Sequence, residues 1–174
     1  MKTLKFILVG ARYTGKGQVG RLWGRTNADL PCLQPVLLYD RLVDRGGKRA
    51  RVVAWVVSFD PEFEELRPSF YVHPKPDGIV YTFDLTNESA ESLERLDLYV
   101  EELKRHVGCL PPAVLVGTKI SSTGPKRPEF VSRVKEWIAR HDDLPYFEVD
   151  LTDRDRGERA VDNAFLTLMS LVNA

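Results

Sequence analysis

The sequence has few of the residues that mark several common classes of site. Its two cysteines, Cys32 and Cys109, are too few for a disulfide framework. Its three histidines, His73, His106 and His141, lie too far apart in the chain for metal-ligand spacing. Acidic and basic residues balance at 25 each, so no excess of positive charge indicates nucleic acid or an anionic membrane as a partner. These shortages argue against a secreted disulfide scaffold, a zinc module and a nucleic-acid-binding domain.

Signals for membrane insertion are also missing. No apolar run approaches the roughly 18 residues that predict a transmembrane helix. The first residues lead directly into an apolar segment of strand length, which does not resemble a secretory signal. Lys2 stands where myristoylation needs glycine, and the last residues include no cysteine for lipidation. We therefore expect a cytoplasmic protein without a lipid anchor, and its 174 residues predict a single domain over 1–174.

Apolar segments of strand and helix type alternate along the chain. Pro128 is expected to open a helix with Val131, Val134 and Ile138 on one face. The turn Arg45-Gly46-Gly47-Lys48 predicts an antiparallel hairpin, and the other connections are long enough for parallel crossovers. The pattern predicts a three-layer α/β domain with about five helices and a six-stranded, mostly parallel sheet that has one antiparallel edge strand. The strand candidates are Leu4–Val9, Val36–Val43, Arg49–Val57, Gly78–Leu85, Ala113–Val116 and Tyr146–Val149.

Two segments lack a helical or strand period, Thr26–Gln34 and Ser58–Lys75. Long connections without regular structure are often functional. Ligands of open α/β sheets bind outside the carboxyl ends of the strands, where these segments are expected to lie. We therefore take both as candidate functional loops.

Residues 10–17 form a phosphate-loop pattern with one departure. Gly10, Gly15 and Lys16 stand at the positions that let backbone N–H groups and a cation surround a phosphate. The position that should carry the serine or threonine hydroxyl for Mg²⁺ is Gly17. The loop therefore predicts a phosphate cradle without one of its metal ligands.

Several further motifs make the chain resemble a small GTPase of the Ras superfamily, close to the Rab and Rho branches, over nearly its whole length. Lys5–Gly10 with Gly15-Lys16 resembles that family's first strand and phosphate loop. Trp55 followed by Arg67–Tyr71 resembles its second switch region. Asp77–Val80 with Phe83–Thr86, and Leu115–Lys119, resemble its fourth strand and its guanine-recognition strand. The resemblance implies the P-loop NTPase fold, with nucleotide-binding residues Gly10, Arg12, Gly15, Lys16, Gly17, Thr118 and Lys119.

The same resemblance shows that much of the chemistry is missing. Val56 stands at the position of the aspartate that holds Mg²⁺ through water, and Phe59 at that of the glycine that senses the γ-phosphate. Asp60 replaces the glutamine that positions water, and an anion there disfavours a transition state that accumulates negative charge. Ser121 replaces the aspartate that reads guanine. We therefore expect no catalytic residue and no Mg²⁺ site.

Other residues leave some alternatives open. No threonine occurs between Thr26 and Thr82, so the metal ligand of the first switch has no evident counterpart. Asp60 could hold a metal from a shifted loop, and Asp150 or Glu148 could reach a base, although solvated carboxylates are the commoner case. Arg12 could place positive charge beside a phosphate, in the manner of an arginine finger.

These residues favour a pseudo-GTPase, meaning a protein-interaction module that has the small-GTPase fold, binds little or no nucleotide and does not hydrolyse it. The alternative is an atypical GTPase that binds GTP or GDP weakly and switches with slow hydrolysis. A different P-loop NTPase, such as a nucleotide kinase, is disfavoured because no carboxylate ends the third strand. We expect a protein partner on the switch-equivalent surface, at the sheet edge Val36–Val43 and at Phe59, Phe63, Phe70 and Tyr71. Phe59 and Phe63 either contact that partner or fold inward to fill the vacant phosphate and metal site.

Overall fold

Six strands form a single mixed sheet in the computed structural model, which describes residues 1–26, 34–86, 90–118 and 127–173. Along the sheet the strand order is β2-β3-β1-β4-β5-β6. Strand β2 runs antiparallel to β3, and all the other neighbours are parallel. The strands are β1 (Lys2–Val9), β2 (Val36–Arg45), β3 (Lys48–Val57), β4 (Gly78–Asp84), β5 (Ala113–Thr118) and β6 (Tyr146–Val149).

Helices cover both faces of this sheet. They are α1 (Lys16–Trp23), α2 (Ser69–Val72), α3 (Glu91–Val107), α4 (Pro128–Arg140) and α5 (Arg154–Val172), with a 3₁₀ turn at Pro61–Phe63. The predicted three-layer α/β fold with one antiparallel edge strand is confirmed. The segment Ser58–Lys75 is more regular than expected, since it contains the 3₁₀ turn and α2. Most of the other candidate loop, residues 27–33, lies outside the described residues.

The core is divided by the sheet into two layers. In β1, Leu4, Phe6 and Leu8 belong to the layer packed against α1 and α5, whereas Ile7 and Val9 belong to the layer packed against α3 and α4. All five side chains are completely buried. A central strand with helices on both sides is buried on both faces, which explains the continuous apolar run Phe6–Val9 in β1. Within the described residues, no helix is both long and apolar enough to span a membrane.

Helix α1 lies unusually close to the sheet because of its glycines. A Cβ on Gly20 would come within 2.5 Å of the Tyr39 ring, and one on Gly24 within 2.7 Å of the carbonyl oxygen of Asp40. These glycines lower helix propensity, but here they allow the helix to approach β2. Close packing therefore holds α1 directly behind the phosphate loop.

Candidate functional site

The phosphate loop joins the carboxyl end of β1 to the first turn of α1. Gly15 precedes the helix with φ +82°, a conformation that favours glycine. A Cβ on Gly10 would lie 2.3 Å from the carbonyl oxygen of Thr82, so the strand β4 permits only glycine there. Gly17 differs from both, since nothing lies within 4 Å of a Cβ built on it. Two of the three loop glycines are thus required by the backbone, and Gly17 is not.

The amide groups at the start of α1 are available to an anion. The first backbone hydrogen bond of this turn runs from the Val19 N–H to the carbonyl oxygen of Gly15, at 3.0 Å. Within the described part of the chain, the N–H groups of residues 15–18 donate to no protein acceptor. Such free amides, together with the helix dipole, form the usual anion site of a phosphate loop. The backbone half of the predicted cradle is therefore present.

The cation of the loop is turned toward the protein. The Lys16 ammonium donates to the carbonyl oxygens of Gly10, at 2.6 Å, and Ala11, at 2.7 Å. It also lies 5.5 Å from the centre of the Phe59 ring. Burial lowers the pKa of Lys16 to about 7, because a desolvated ammonium is disfavoured. Neutral pH is consequently close to the pKa of Lys16.

Threonine side chains tie the loop to the neighbouring strands. The Thr14 hydroxyl donates to the carbonyl oxygen of Ala11 at 2.9 Å and lies 3.2 Å from the Thr82 hydroxyl. Thr118, at the end of β5, donates to the backbone carbonyls of Thr14 and Phe83. Thr118 is fully buried, so its hydroxyl links β5 to the loop. Lys119 and Ser121, the other residues of the guanine motif, lie outside the described residues.

Arg12 bridges the loop to the segment after β3. Its guanidinium is 3.1 Å from the Asp60 carboxylate, whose side chain is only 8% exposed. Asp60 also accepts from the Glu62 N–H at 3.2 Å and so caps the 3₁₀ turn. Arg12 and Asp60 both line a pocket of about 560 Å³, which is also lined by the phosphate loop, Leu37 and residues 56–59.

Phe59 points into the protein, so the expectation of an exposed aromatic there is wrong. It is 7% exposed, and its ring centre lies 4.0 Å from that of Tyr99 and 4.7 Å from the Arg67 guanidinium. A side chain of this size is more stable against α3 than in water. The inward alternative describes this conformation: Phe59 borders the phosphate-loop pocket from inside the core.

The other three predicted partner-binding aromatics differ in exposure. Tyr71 is fully buried, and its hydroxyl donates to Glu102 at 2.8 Å, so it is not a surface anchor in this conformation. Phe63 and Phe70 are partly exposed, and Phe70 lies 6.5 Å from Trp55. Only these two of the four therefore present aromatic surface.

A buried ion pair fixes this segment on α3. Arg67 donates to both carboxylate oxygens of Glu102, at 2.8 and 2.9 Å. Burial alone would raise the pKa of Glu102, but the hydrogen bonds from Arg67 and Tyr71 outweigh it and lower that pKa. At the far end, the Lys5 ammonium donates to the carbonyl oxygens of Phe70 and Pro74 and lies 4.0 Å from the Trp55 ring. The segment Ser58–Pro74 is thus anchored at both ends.

The comparison with known families decides the ancestry of this site. The model of the Ras family matches residues 5–174, which is nearly the whole chain. The chain belongs to the Ras family. None of the curated proteins compared with it matches. The fold and the phosphate loop of this Ras-family chain are therefore those of a small GTPase. Each position where its sequence departs from the family's motifs can be compared with the role of that position in the family.

The residues around the loop do not fit the Mg²⁺ of a Ras-family GTPase. Gly17 offers no side chain, and Val56, 7% exposed, offers only methyl groups where oxygen ligands are needed. The nearby Asp60 carboxylate is held by Arg12. Among the described residues, no three acidic, histidine or cysteine side chains are grouped so that they could hold a metal ion. We therefore derive no metal-dependent step.

The two carboxylates that the sequence suggested for contact with a nucleotide base, Asp150 and Glu148, have hydrogen-bond partners within the protein. Asp150 accepts from the N–H and the hydroxyl of Thr152, at 2.9 and 2.6 Å. Glu148 accepts from the Tyr146 hydroxyl at 2.9 Å. Leu151, which sequence reasoning missed, lies over the loop, since a Cβ on Gly15 would come within 2.7 Å of its Cδ1. Its position just after the last strand, an edge where ligands bind, was the available signal.

Proposed function

We propose that this Ras-family protein is a pseudo-GTPase that acts as a protein-interaction module with a single, fixed conformation of its switch-equivalent segment. One observation carries the proposal: side-chain contacts fasten the segment after β3 to the phosphate loop and to α3. Phe59 lies close to Tyr99, Arg67 and Lys16, and Asp60 forms an ion pair with Arg12. A GTP-driven switch needs this segment to move with the γ-phosphate.

The residues that stand at the metal and water positions of the family support the same proposal. Hydrolysis of GTP in this fold depends on a cation that neutralises the developing charge and on a residue that positions water. The chain has Gly17 and Val56 at the metal positions and the paired carboxylate of Asp60 at the water position. None of the three can perform the corresponding role.

A partly exposed apolar surface beside this segment is the proposed docking site. Leu38, 43% exposed, pairs across the sheet with Trp55 on β3, and Phe70 lies over Trp55. Leu66, 48% exposed, stands on the same anchored segment. Aromatic and aliphatic side chains on a rigid support are typical anchors of protein interfaces. We call Leu38, Trp55, Leu66 and Phe70 the switch-side patch.

A second function, weak binding of GTP or GDP, is favoured by one specific observation. The amides of residues 15–18 have no protein acceptor in the described part of the chain, and Gly15 keeps the left-handed conformation of a working cradle. Arg12 and Lys16 would supply positive charge to phosphates there. Binding would require Arg12 to exchange Asp60 for the ligand.

The decisive experiment tests nucleotide content. Purified protein is denatured and the released small molecules are separated by chromatography, while a fluorescent GDP analogue is titrated with and without Mg²⁺. We expect no co-purified nucleotide and no effect of Mg²⁺ on the titration. Bound guanine nucleotide, or binding that requires Mg²⁺, contradicts the pseudo-GTPase and favours a switch.

The docking surface is tested separately by capture of a binding partner. Partners are recovered from a lysate with the native chain, with a Leu38→Asp and Leu66→Asp variant, and with a control variant changed at the exposed Leu98 on α3. Loss of one specific partner with the first variant and its retention with the control is the expected result. Equal recovery by all three proteins contradicts the switch-side patch as the docking site.

A further inference from the structure

A second cleft lies at the β2 edge of the sheet, beside the end of α1 and α5 and away from the phosphate loop. It encloses about 840 Å³ between the end of α1, the β2–β3 hairpin and α5. Its lining is rich in arginine, and the guanidinium-bearing residues are Arg21, Arg25, Arg41 and Arg51. No part of the function proposed above uses it.

The charges in this cleft do not cancel. Arg41 is paired with Asp162, and Arg51 with Asp40 at 3.0 Å. The third acidic residue of the lining, Glu158, is paired at 2.8 Å with Arg154, which does not line the cleft. Arg21 and Arg25 are exposed, and within the described residues neither side chain has an ion pair or a hydrogen bond. The lining therefore has one guanidinium group in excess, and two when Arg154, the partner of Glu158, is counted with it.

The floor of the cleft contains an unmatched donor. Trp23 is 2% exposed, stacks on Phe165 with ring centres 4.3 Å apart, and lies under the Arg41 guanidinium at 4.9 Å. Its indole N–H is buried and, among the described side chains, is the one such polar group without a hydrogen-bond partner. A buried donor without an acceptor costs stability.

Arg25 is also held in place before any ligand arrives. Its backbone pairs with Asp40 at the edge of β2 through two hydrogen bonds of 2.9 and 3.1 Å. A guanidinium that projects from ordered backbone loses less freedom on binding than one on a mobile loop. Arginine forks also suit the planar, two-oxygen geometry of a carboxylate.

We propose that this cleft binds an acidic peptide segment of a partner protein, with Arg21 and Arg25 as the residues that hold its carboxylates. The mixed charge of the lining favours a peptide over an anionic lipid surface. Asp40, Glu158 and Asp162 lie among the arginines and would repel a uniformly negative bilayer. A peptide can space its carboxylates to meet the arginines and lay an apolar side chain over the partly exposed Leu22.

The test uses the full chain and a peptide labelled with fluorescein at its N-terminus, fluoresceinyl-Glu-Leu-Glu-Glu-Leu-Glu-amide, and the control is the equally labelled peptide with Gln in place of every Glu. Binding is measured by fluorescence anisotropy at low and physiological salt. The variant Arg21→Ala with Arg25→Ala is compared with Arg105→Ala with Lys135→Ala, which removes the same charge from exposed positions on α3 and α4. Vesicles containing phosphatidylserine form the third arm, measured by co-sedimentation.

We expect saturable, salt-sensitive binding of the Glu peptide that weakens about tenfold or more in the cleft variant and stays unchanged in the control variant. The indole N–H signal of Trp23 should shift on binding in an NMR spectrum. No saturable binding below about 1 mM peptide, or equal loss in both variants, overturns the proposal. Vesicle binding that depends on Arg21 and Arg25 without peptide binding overturns it in favour of a lipid surface. None of these outcomes depends on nucleotide, so they are separate from the test of the pseudo-GTPase.

Discussion

At the scale of single residues, Lys16 best shows how the site has changed its chemical character. An ammonium that neutralises phosphate must stay charged, yet this one is buried against Phe59 and its pKa falls to about 7. The two carbonyl oxygens of the loop are its present partners. Burial in the folded chain therefore destabilises the charged form of Lys16.

The first prediction concerns the pH dependence that follows. Unfolded Lys16 keeps its proton up to about 10.5 and folded Lys16 loses it near 7, so the unfolded state binds more protons between these values. Stability should therefore rise with pH in that window, by at most about 1.4 kcal/mol per pH unit from this group. Burial, partly opposed by Asp77, lowers the pKa of Lys5 to about 8, so the measurement is confined to the range between neutral pH and that value. In this range Lys16→Met should flatten the rise with pH of the free energy of unfolding, measured with urea. A slope in Lys16→Met equal to that of the native chain would contradict the assignment, and Lys48→Met, at an exposed position, serves as the control.

The second prediction uses the glycines of α1 as a matched pair. Gly17→Ala should stabilise the protein by about 0.5–1 kcal/mol, because alanine is the better helix former and its Cβ meets open space. Gly20→Ala should destabilise it by about 1–3 kcal/mol, because its Cβ would overlap the Tyr39 ring. Urea unfolding of both variants measures the difference. Two changes of the same sign would show that the close approach of α1 to β2 does not govern Gly20.

At the scale of elements, the segment between β3 and β4 shows how contacts distant in sequence hold a short helix in place. A one-turn helix such as α2 is not stable by itself in water. It is held by the buried ion pair between Arg67 and Glu102 and by the hydroxyl of Tyr71. The packing of Phe59 against Tyr99 completes this attachment to α3.

The third prediction removes the acidic partner of this pair. Glu102→Gln should destabilise the protein by about 2–4 kcal/mol, since the Arg67 guanidinium, 6% exposed, is left without its counter-charge. The folded pKa of Glu102 is lowered, so its contribution is present above the unfolded value of 4.5 and is lost as pH falls through the folded value. The acid sensitivity of the variant below that pH should consequently be weaker than that of the native chain. Unfolding curves at neutral and acid pH test both effects, and Glu101→Gln is the control on the exposed side of α3.

The elements were largely predictable from sequence, and the exceptions have physical reasons. In α4 the expected face was Val131, Val134 and Ile138, but the buried residues are Phe130, Val134 and Trp137, and Val131 is 37% exposed. The larger aromatic surfaces determine which side turns inward, a competition that apolar periodicity alone does not weigh. The phosphate loop was predictable because Gly10, Gly15 and Lys16 stand at a fixed spacing directly after an apolar strand. The inward position of Phe59 and the position of Leu151 over the loop were not, because both depend on contacts distant in sequence.

At the scale of the whole molecule, the two proposed surfaces meet at the edge strand β2. Leu38 of the switch-side patch and Asp40 and Leu42 of the arginine cleft occupy alternate positions on this strand, so their side chains extend from the same face of it. From β2 the patch continues to α2, whereas the cleft continues around the edge to α1 and α5. The two surfaces are therefore neighbours on one edge strand.

The fourth prediction tests the molecule for a response to nucleotide. A ligand that binds the folded state raises the melting temperature, and the stabilisation grows with the logarithm of the ratio of its concentration to its Kd. With GDP or a non-hydrolysable GTP analogue at about 1 mM, we expect a shift below about 1 °C, and no difference when Mg²⁺ is added. Differential scanning fluorimetry measures it, with a typical Ras-family GTPase as the positive control. A larger shift that requires Mg²⁺ would show that a metal–nucleotide site exists.

The anchoring of Ser58–Pro74 at both ends has a consequence for how such a protein would be regulated. Phe59 and Asp60 fasten its start, and the Lys5 ammonium fastens its end. A partner that docks there meets a surface already in its final shape, so association needs no prior exchange or hydrolysis step. Occupancy would then follow the concentrations of the two proteins alone. For such a molecule, synthesis and degradation would set the signal that a nucleotide cycle sets in its relatives.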